Sequence, residues 1–477
     1  MKSLWALFLL SLGLSSFLVP LGRWVFIRLG KLDQPDNRKM HRIPVPRSGG
    51  LSLISSYLIA VGLILLLPAG GNVVFERYGS FLARLLPAIA VVFLTGFFDD
   101  LLNLSPVYKL LGQFVAASCA YWAGVRLVQV PEGGEVVGFA ITAFWLILCS
   151  NAFNLIDGTD GLAGTLGVVS CLGIIVVALS LDYYSLALVF TPLLGAVLPF
   201  LRANWPPASL FLGDTGSLSL GFLIGCGGAA LARRFPNGEG FAAALLIMTL
   251  PLMETALSSL RRALRGHPIF TPDNFHIHHQ LKRQGHDDAS VLLRLGLLSL
   301  VGTSIAVVQI WTGPLVRFCL LAGFLGYLGF RVSSLRYPEF NVLWEAVLGG
   351  RIRSWFRHQI LLRSLEEELA KTKNPDRVIA LLESAVKDLG LLDLNVRLHE
   401  HRMIHATSGP TQGTYAVRID LPQRNWVNYR VPVKLKRTEN PAADFAAVIL
   451  RALNERKLQQ LQAPDVVASP RPEATLV

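Results

Sequence analysis

The 477-residue chain is 52% hydrophobic and only 16% charged, with a mean hydropathy of +0.48, which excludes an ordinary soluble globular protein and describes an integral membrane protein. A net charge of +12 and a pI of 9.7 raise nucleic acid as a partner. The positions of the charges exclude it: Lys and Arg gather beside apolar runs, where the positive-inside bias and anionic headgroups account for them, so the expected partner is the lipid bilayer.

The first apolar run, residues 4–28, imitates a signal peptide, but Arg23, Arg28 and Lys31 follow it while Lys2 alone precedes it. This charge order predicts a retained span with its N-terminus outside. Further runs at 50–68, 82–98, 109–127, 138–153, 163–181, 185–201, 215–232, 241–260, 292–311 and 314–332 make eleven spans and put the C-terminus inside. The basic loops agree, since Lys31, Arg38, Lys39, Arg42 and Arg47 in one and Arg261, Arg262, Arg265, Lys282 and Arg283 in another fall on the cytoplasmic side. Loops on the opposite side carry Glu76, Glu132, Glu135 and Asp182, with Arg233 and Arg234 a local exception. Cys119, Cys149, Cys171, Cys226 and Cys319 stand singly in apolar runs, a pattern of buried small hydrophobes rather than of disulfides or a thiolate metal site.

After Arg331 the chain loses its long apolar runs. EEELAKTKNPDRVIALLESAVKDLG has helical periodicity and i,i+4 charge pairs, NVRLHE and YAVRIDL alternate as strands, LPQRN reads as a turn, and a helix is expected from about Asp444 to Leu461. The expected fold is therefore an all-α polytopic membrane protein of about eleven transmembrane helices, residues 1–332, with a small C-terminal α+β cytoplasmic domain, residues 333–462. The Pro-rich tail, 463–477, reads as disordered.

Polar residues set among the apolar segments gather in five clusters: DQPDNRKMHRIPVPRSGG from Asp33, GFFDDLLNLSPVYK with Asp99 and Asp100, NAFNLIDGTDGLAG from Asn151, FLGDTGSLSLG from Phe211, and HIHH from His276. All five fall on the cytoplasmic face. An ionised Asp in mid-membrane costs about 2.5 to 3.5 kcal/mol, so the Asp99–Asp100 pair belongs at a helix end reached by water and ligand. Asp99, Asp100, Asp157, Asp160 and Asp214 offer hard oxygens suited to Mg2+, while Lys109, Arg47 and the histidines offer positive charge for phosphate oxygens. Together they read as a metal-assisted phosphoryl-transfer site. Simpler readings exist for each piece: a helix cap for the acidic pair, a structural turn for NLIDGTDGLAG, an interface lysine for Lys109 and core packing for Phe211. His276, His278 and His279 lack the i,i+4 pair of a zinc hydrolase.

The five motifs, in this order, resemble those of the polyprenyl-phosphate N-acetylhexosamine-1-phosphate transferases, over about residues 1–332. The resemblance implies ten or eleven spanning helices around a cytoplasmic cleft, and transfer of a sugar 1-phosphate from a UDP-N-acetylhexosamine to a membrane polyprenyl phosphate with release of UMP. It implies Asp99 and Asp100 as catalytic residues, Asp99 contacting or deprotonating the lipid phosphate. Asp214 matches the metal ligand, and Asn154 a second ligand found in the eukaryotic branch, for Mg2+ or alternatively Mn2+. Lys109 would grip the pyrophosphate, Asn204, Phe211 and Asp160 would cradle uridine, and Asp157 and the histidines His276, His278 and His279 would shape the site around the phosphates, with Arg47 also binding substrate.

PVPRSGG and HIHH resemble the bacterial branch that starts O-antigen, enterobacterial common antigen or teichoic-acid linkage synthesis, and neither the TPTMGG nor the triple histidine of the peptidoglycan branch is present. UDP-N-acetylglucosamine and undecaprenyl phosphate are the substrates this implies, with the enzyme in the bacterial inner membrane and a homodimer allowed. A transporter of nucleotide-sugars or ions is the alternative class, but it would place charges near the bilayer midplane rather than at one face. A CDP-alcohol phosphotransferase would need an Arg that NLIDGTDGLAG lacks.

Overall fold

The computed structural model describes residues 2–34, 44–66, 73–235, 238–264, 276–335, 352–372, 374–398, 401–404, 414–422, 425–432 and 441–453. The chain divides into two compact units, Met1–Leu335 and Arg336–Val477.

The first unit is a helical bundle: α1 (Lys2–Arg28), α2 (Gly49–Leu66), α3 (Val73–Leu102), α4 (Pro106–Trp122), α5 (Glu135–Ile156), α6 (Leu162–Ser180), α7 (Tyr184–Asn204), α8 (Gly213–Arg234), α9 (Glu239–Ile247), α10 (Thr249–Leu264), the short α11 (Ile277–Arg283), α12 (Asp288–Val308) and α13 (Pro314–Ser334). A two-residue antiparallel pair, β1 (Leu32–Asp33) with β2 (Val45–Pro46), lies between α1 and α2. Among the described residues eight helices are long and apolar enough to cross a membrane, and α9 with α10 would make a ninth, so this is a multi-pass membrane protein. Two of the eleven expected spans are shorter helices: α2, apolar over Gly49–Ile64, and α4. The seventeen residues of α4 rise about 26 Å, less than a hydrocarbon core of about 30 Å. It stops at Trp122, short of the expected 127, because Gly124 turns left-handed (φ +101°) and lets Val125 and Gly124 donate to the carbonyls of Ala120 and Tyr121.

The run 241–260, read as one span, is broken. α9 and α10 meet at 76° around Met248. Pro251 supplies no N–H to the carbonyl of Ile247 and crowds it, and the Thr249 hydroxyl donates instead to Leu246 O at 2.8 Å. At the centre stands α8, buried along almost its whole length and packed against α3, α5 and α9. Its small residues let neighbours close in, as where the Trp145 indole on α5 donates to Gly225 O at 2.9 Å. On α1, Ser11 and Ser15, one turn apart, donate to the carbonyls of Pro192 and Ala196 on α7, both at 2.7 Å.

The second unit contains α14 (Ile352–Lys371), α15 (Pro375–Asp388), an antiparallel sheet in the order β4–β3–β6–β5 and α16 (Pro441–Ala452). The strands are β3 (Leu392–Leu398), β4 (His401–Ile404), β5 (Thr414–Asp420) and β6 (Trp426–Pro432). Leu369, Val378, Leu382, Val396, Val427, Tyr429, Phe445 and Ile449 form its core. The periodic stretch 366–390 is two helices, since Pro375 starts the second and Asn374 caps it by accepting from Asp376 N at 2.8 Å. β3 and β5 correspond to the two strands read from alternation, while β4 and β6 were not anticipated. The tail 463–477 and the end of the last expected helix lie outside the described residues.

Candidate active site

At the C-terminal end of α3 the backbone rotation between consecutive residues sends Asp99 and Asp100 to different partners. Asp100 faces the start of α8, where its Oδ1 accepts from Asp214 N at 2.9 Å and its Oδ2 from Thr215 N at 2.8 Å and Thr215 Oγ1 at 2.5 Å. It caps α8 from another helix, satisfying two of the N–H groups left open at a helix start. The fit depends on Gly213, which has φ +71° and whose missing Cβ would lie 2.8 Å from the Asp100 carboxylate.

Asp99 instead faces Lys109, in the first turn of α4. Lys109 Nζ lies 2.9 Å from Asp99 Oδ2 and also hydrogen-bonds Asp214 Oδ2, so one ammonium joins carboxylates from α3 and α8. One turn further along α4 the fully buried Gln113 exchanges amide hydrogen bonds with Asn151 of α5, of which Asn151 Nδ2 to Gln113 Oε1 is 2.6 Å. This clamp fixes the face of α4 that presents Lys109. A turn beyond Asn151, the Asn154 amide donates to Ser217 Oγ at 3.0 Å, and Ser217 follows Asp214 by one turn of α8.

The segment before α2 closes one side. Gly49 N and Gly50 N donate to the carbonyls of Phe211 and Leu212 at 2.9 and 2.7 Å, and Phe211 N donates to Pro46 O at 2.9 Å. The backbones of Gly50 and Gly216 approach so closely that a Cβ on Gly50 would lie 2.1 Å from Gly216 N. Arg47, beside these glycines, pairs with Asp33 at 2.9 Å. Asp157 follows α5 directly, and its carboxyl is pushed well up by burial and by the neighbouring Asp214 and Asp100 charges, with Arg47 and the Gly213 N–H opposing.

In the loop before α8, Asp160 Oδ2 accepts from Ala208 N at 2.9 Å. Asn204 accepts from Gly161 N at 2.9 Å and donates to Leu210 O at 2.7 Å, so both ends of its buried amide hold backbone. The three histidines open α11. His276 Nδ1 lies 2.9 Å from Glu254 Oε1, whose other oxygen accepts from Ile277 N at 2.8 Å. Arg261, two turns along α10, stands 3.7 Å from the same Glu254, and both are buried. His278 lies against Gly158, whose absent Cβ would be 3.9 Å from the ring, and its buried Nε2 has no hydrogen-bond partner among the described residues.

A Mg2+ ion takes one or two protein carboxylates and completes its shell with water and phosphate oxygens. Asp214 at the start of α8, with the Asn154 amide bonded to Ser217 one turn further along, supplies a carboxylate and an amide oxygen that could hold such an ion. Among the described residues no three His, Cys, Asp or Glu side chains gather as an all-protein metal cage.

Residues 82–231 match Glycosyl transferase family 4. The chain is 30% identical over 327 residues to a probable undecaprenyl-phosphate N-acetylglucosaminyl 1-phosphate transferase of Bacillus subtilis, covering 66% of this chain and 88% of the relative. The chain belongs to Glycosyl transferase family 4. Among other relatives are a decaprenyl-phosphate N-acetylglucosaminephosphotransferase of Mycobacterium tuberculosis, 31% identical over 57% of this chain and 74% of the relative. An undecaprenyl-phosphate alpha-N-acetylglucosaminyl 1-phosphate transferase of Escherichia coli is 26% identical over 64% of this chain and 83% of the relative.

The family match spans the Asp99–Asp100, Asp157–Asp160 and Asp214 motifs of this Glycosyl transferase family 4 chain but neither the Asp33–Arg47 string nor the histidines. The structure brings Asp99, Lys109 and Asp214 into direct contact and sets Asp100, Asp157 and Asn154 around them. Asn204 and Asp160 instead bind the loop that carries Phe211. The histidines differ from the cationic group expected of them: burial and the neighbouring His279 and His276 push His278 well below its ordinary value, and burial with His276 and Lys282 brings His279 down to about 4, so both are neutral at pH 7. Sequence reading missed Glu254, an acid inside PLMETALSSL. The signal was available, since Glu254, Ser258 and Arg261 fall at i, i+4 and i+7, a polar stripe on one helix face.

Proposed function

We propose that the chain transfers N-acetylglucosamine 1-phosphate from UDP-N-acetylglucosamine to undecaprenyl phosphate, releasing UMP and starting a lipid-linked envelope polysaccharide. The carrying observation is the Asp99–Lys109–Asp214 contact beside the capped start of α8, which assembles the charges a phosphoryl transfer between two phosphorylated substrates needs. The names of the Bacillus, Mycobacterium and Escherichia relatives support this substrate class.

An oxygen of the acceptor lipid phosphate attacks the sugar-linked phosphorus of the donor. A new P–O bond forms, the bond from that phosphorus to the bridging oxygen breaks, and UMP leaves with the electron pair. The acceptor oxygen is substantially ionised near neutral pH, so positioning and charge stabilisation supply most of the catalysis, in one displacement within a ternary complex. Asp99 orients the acceptor or takes its residual proton, and Lys109 holds pyrophosphate oxygens. Asp214, with Asn154 near it, would hold Mg2+ or Mn2+, which when bound offsets charge on the pyrophosphate. His278 offers a neutral, unpartnered nitrogen beside the Asp157–Asp160 loop, and Phe211 a ring on which uracil can stack. Counting the shorter α2 and α4 as passes, and α9 with α10 as one, gives eleven, and on that count charge bias in the loops supports a cytoplasmic face for this site and for the C-terminal unit in a bacterial inner membrane.

The test uses purified protein, Mg2+, undecaprenyl phosphate and a panel of UDP-N-acetylhexosamines, with UMP and lipid-linked sugar as readouts. Stoichiometric UMP and lipid product from UDP-N-acetylglucosamine are expected. Release of UMP without lipid product, or product only from another sugar, would refute the reading.

A further inference from the structure

At the end of the bundle away from the acidic motifs, a second cationic site appears. Asp214 and Arg233 stand nineteen residues apart on α8, which at 1.5 Å per residue separates them by about 28 Å, close to the thickness of a hydrocarbon core. There a cavity of about 300 Å3 is lined by Arg77, Phe81 and Arg84 of α3, Tyr183 before α7, and Arg233 of α8. Arg77, Phe81 and Arg84 recur at i, i+4 and i+7 and so share a helix face. An adjoining cavity shares Tyr183 and Arg233 and adds Arg234.

Among the described residues none of Arg77, Arg84, Arg233 and Arg234 forms an ion pair, although Asp182 also lines the adjoining cavity. Three carboxylates at this end have other partners, Asp182 accepting from the Tyr184 hydroxyl at 2.8 Å, Glu135 pairing with Arg126 at 2.8 Å and Glu239 with Arg317 at 2.5 Å, while Glu132 is exposed. Arg233 spends one nitrogen on Gly124 O at 3.1 Å, and Arg77 lies over the Tyr78 ring at 5.6 Å. The topological bias in membrane proteins concentrates Lys and Arg at the opposite face, where the basic loops lie, so an unpaired cluster here runs against the trend. Unpaired guanidinium groups around a concave surface are the usual receptor for a phosphate.

We propose that this cavity binds the phosphate of an anionic phospholipid headgroup. A lipid source suits the surroundings: Tyr78 and Tyr184 meet ring to ring at 5.5 Å in the manner of an interfacial aromatic belt, and Trp122, two residues before the cavity-lining Gly124, is 84% exposed at the end of a membrane helix. The headgroup would sit among the arginines with its acyl chains along the outer faces of α3 and α4. The site is separate from the catalytic one and does not depend on the identity of the sugar donor.

The experiment measures binding calorimetrically on full-length protein in neutral detergent, with dioctanoyl phosphatidylglycerol, dioctanoyl phosphatidylcholine and inorganic phosphate as probes. The glycerol lipid should bind at least tenfold more tightly than the choline lipid, and the variant R77Q/R84Q/R233Q should lose at least tenfold of that affinity. Lys109→Gln, at the other end, should retain it. Equal binding of the two lipids, unchanged binding by the triple variant, or loss on Lys109→Gln would overturn the proposal. Inorganic phosphate binding as tightly as the lipid would overturn the lipid source and assign the site to soluble phosphate. Should the triple variant fail to fold, wild-type protein decides: the preference for the glycerol lipid should shrink severalfold between low and high salt, and a preference indifferent to salt would reject the arginine site.

Discussion

Asp100 on α3 caps α8 through Thr215, accepting from both its backbone N–H and its hydroxyl, while the adjacent Asp99 is left to face Lys109. Two neighbouring acids thus have separable partners, one holding helices together and one facing a lysine, and the proposed reaction gives them separable tasks. Asp100→Ala should lower stability by about 1–3 kcal/mol, the cost of leaving buried donors without their acceptor, together with activity. Asp99→Asn should reduce turnover by at least about tenfold while leaving the melting temperature near that of the wild type. Thermal unfolding in detergent beside a transferase assay checks both, and the division of labour fails if Asp99→Asn is as destabilising as Asp100→Ala.

Lys109→Gln should cut turnover by about a hundredfold or more, because it removes the charge that joins Asp99 to Asp214 and that we propose holds donor phosphate. Since the two carboxylates then repel each other, added Mg2+ should raise the melting temperature of this variant more than that of the wild type. A variant with near-normal turnover would show that Lys109 is only an interface lysine.

Glu254→Gln keeps an acceptor but removes the charge that holds His276, the start of α11 and Arg261. Losing a buried charged partner costs about 3–5 kcal/mol when the other charge stays buried, so a clear fall in melting temperature is expected. Substrate KM should rise as the His276–His279 turn shifts. If both quantities match the wild type, Glu254 does not position that turn.

His278 and His279 add one contribution to the pH dependence of stability, which the raised carboxyl of Asp157 opposes. Their protonation is disfavoured in the folded chain, so between the ordinary value of 6.5 and about 4 the unfolded chain binds more protons at these two sites, and their contribution to stability falls as pH falls through that window. Above 6.5 this contribution is complete and flat. Melting temperatures measured from pH 4 to 8 on the wild type and on His279→Gln should diverge below pH 6.5, the wild type losing more as pH falls; parallel profiles would refute the contribution of His279.

Much of the site was legible because phosphoryl-transfer chemistry leaves acids, a lysine and glycines in short strings that interrupt apolar runs. Asp99, Lys109 and Asp214 were identifiable in that way, as was the membrane class, since long apolar segments have few other uses. Which acid does what was not legible. Asp99 and Asp100 are chemically identical neighbours, and their difference arises only when α3 packs against α4 on one side and α8 on the other.

Residue type and apolar length by themselves determined that this chain is a multi-pass membrane protein with its reactive groups collected in five strings. Tertiary structure decided how those strings meet: that Asn204 and Asp160 hold backbone, that Glu254 anchors His276, that Pro251 turns one apolar run into two helices, and that the α3 and α8 arginines line one cavity. The physical reason is that burial and hydrophobicity are summed along local sequence, whereas hydrogen-bond partners and charge pairs depend on contacts between residues far apart in sequence, 114 positions for Asp100 and the backbone N–H of Asp214 and 181 for Ser11 and the carbonyl of Pro192.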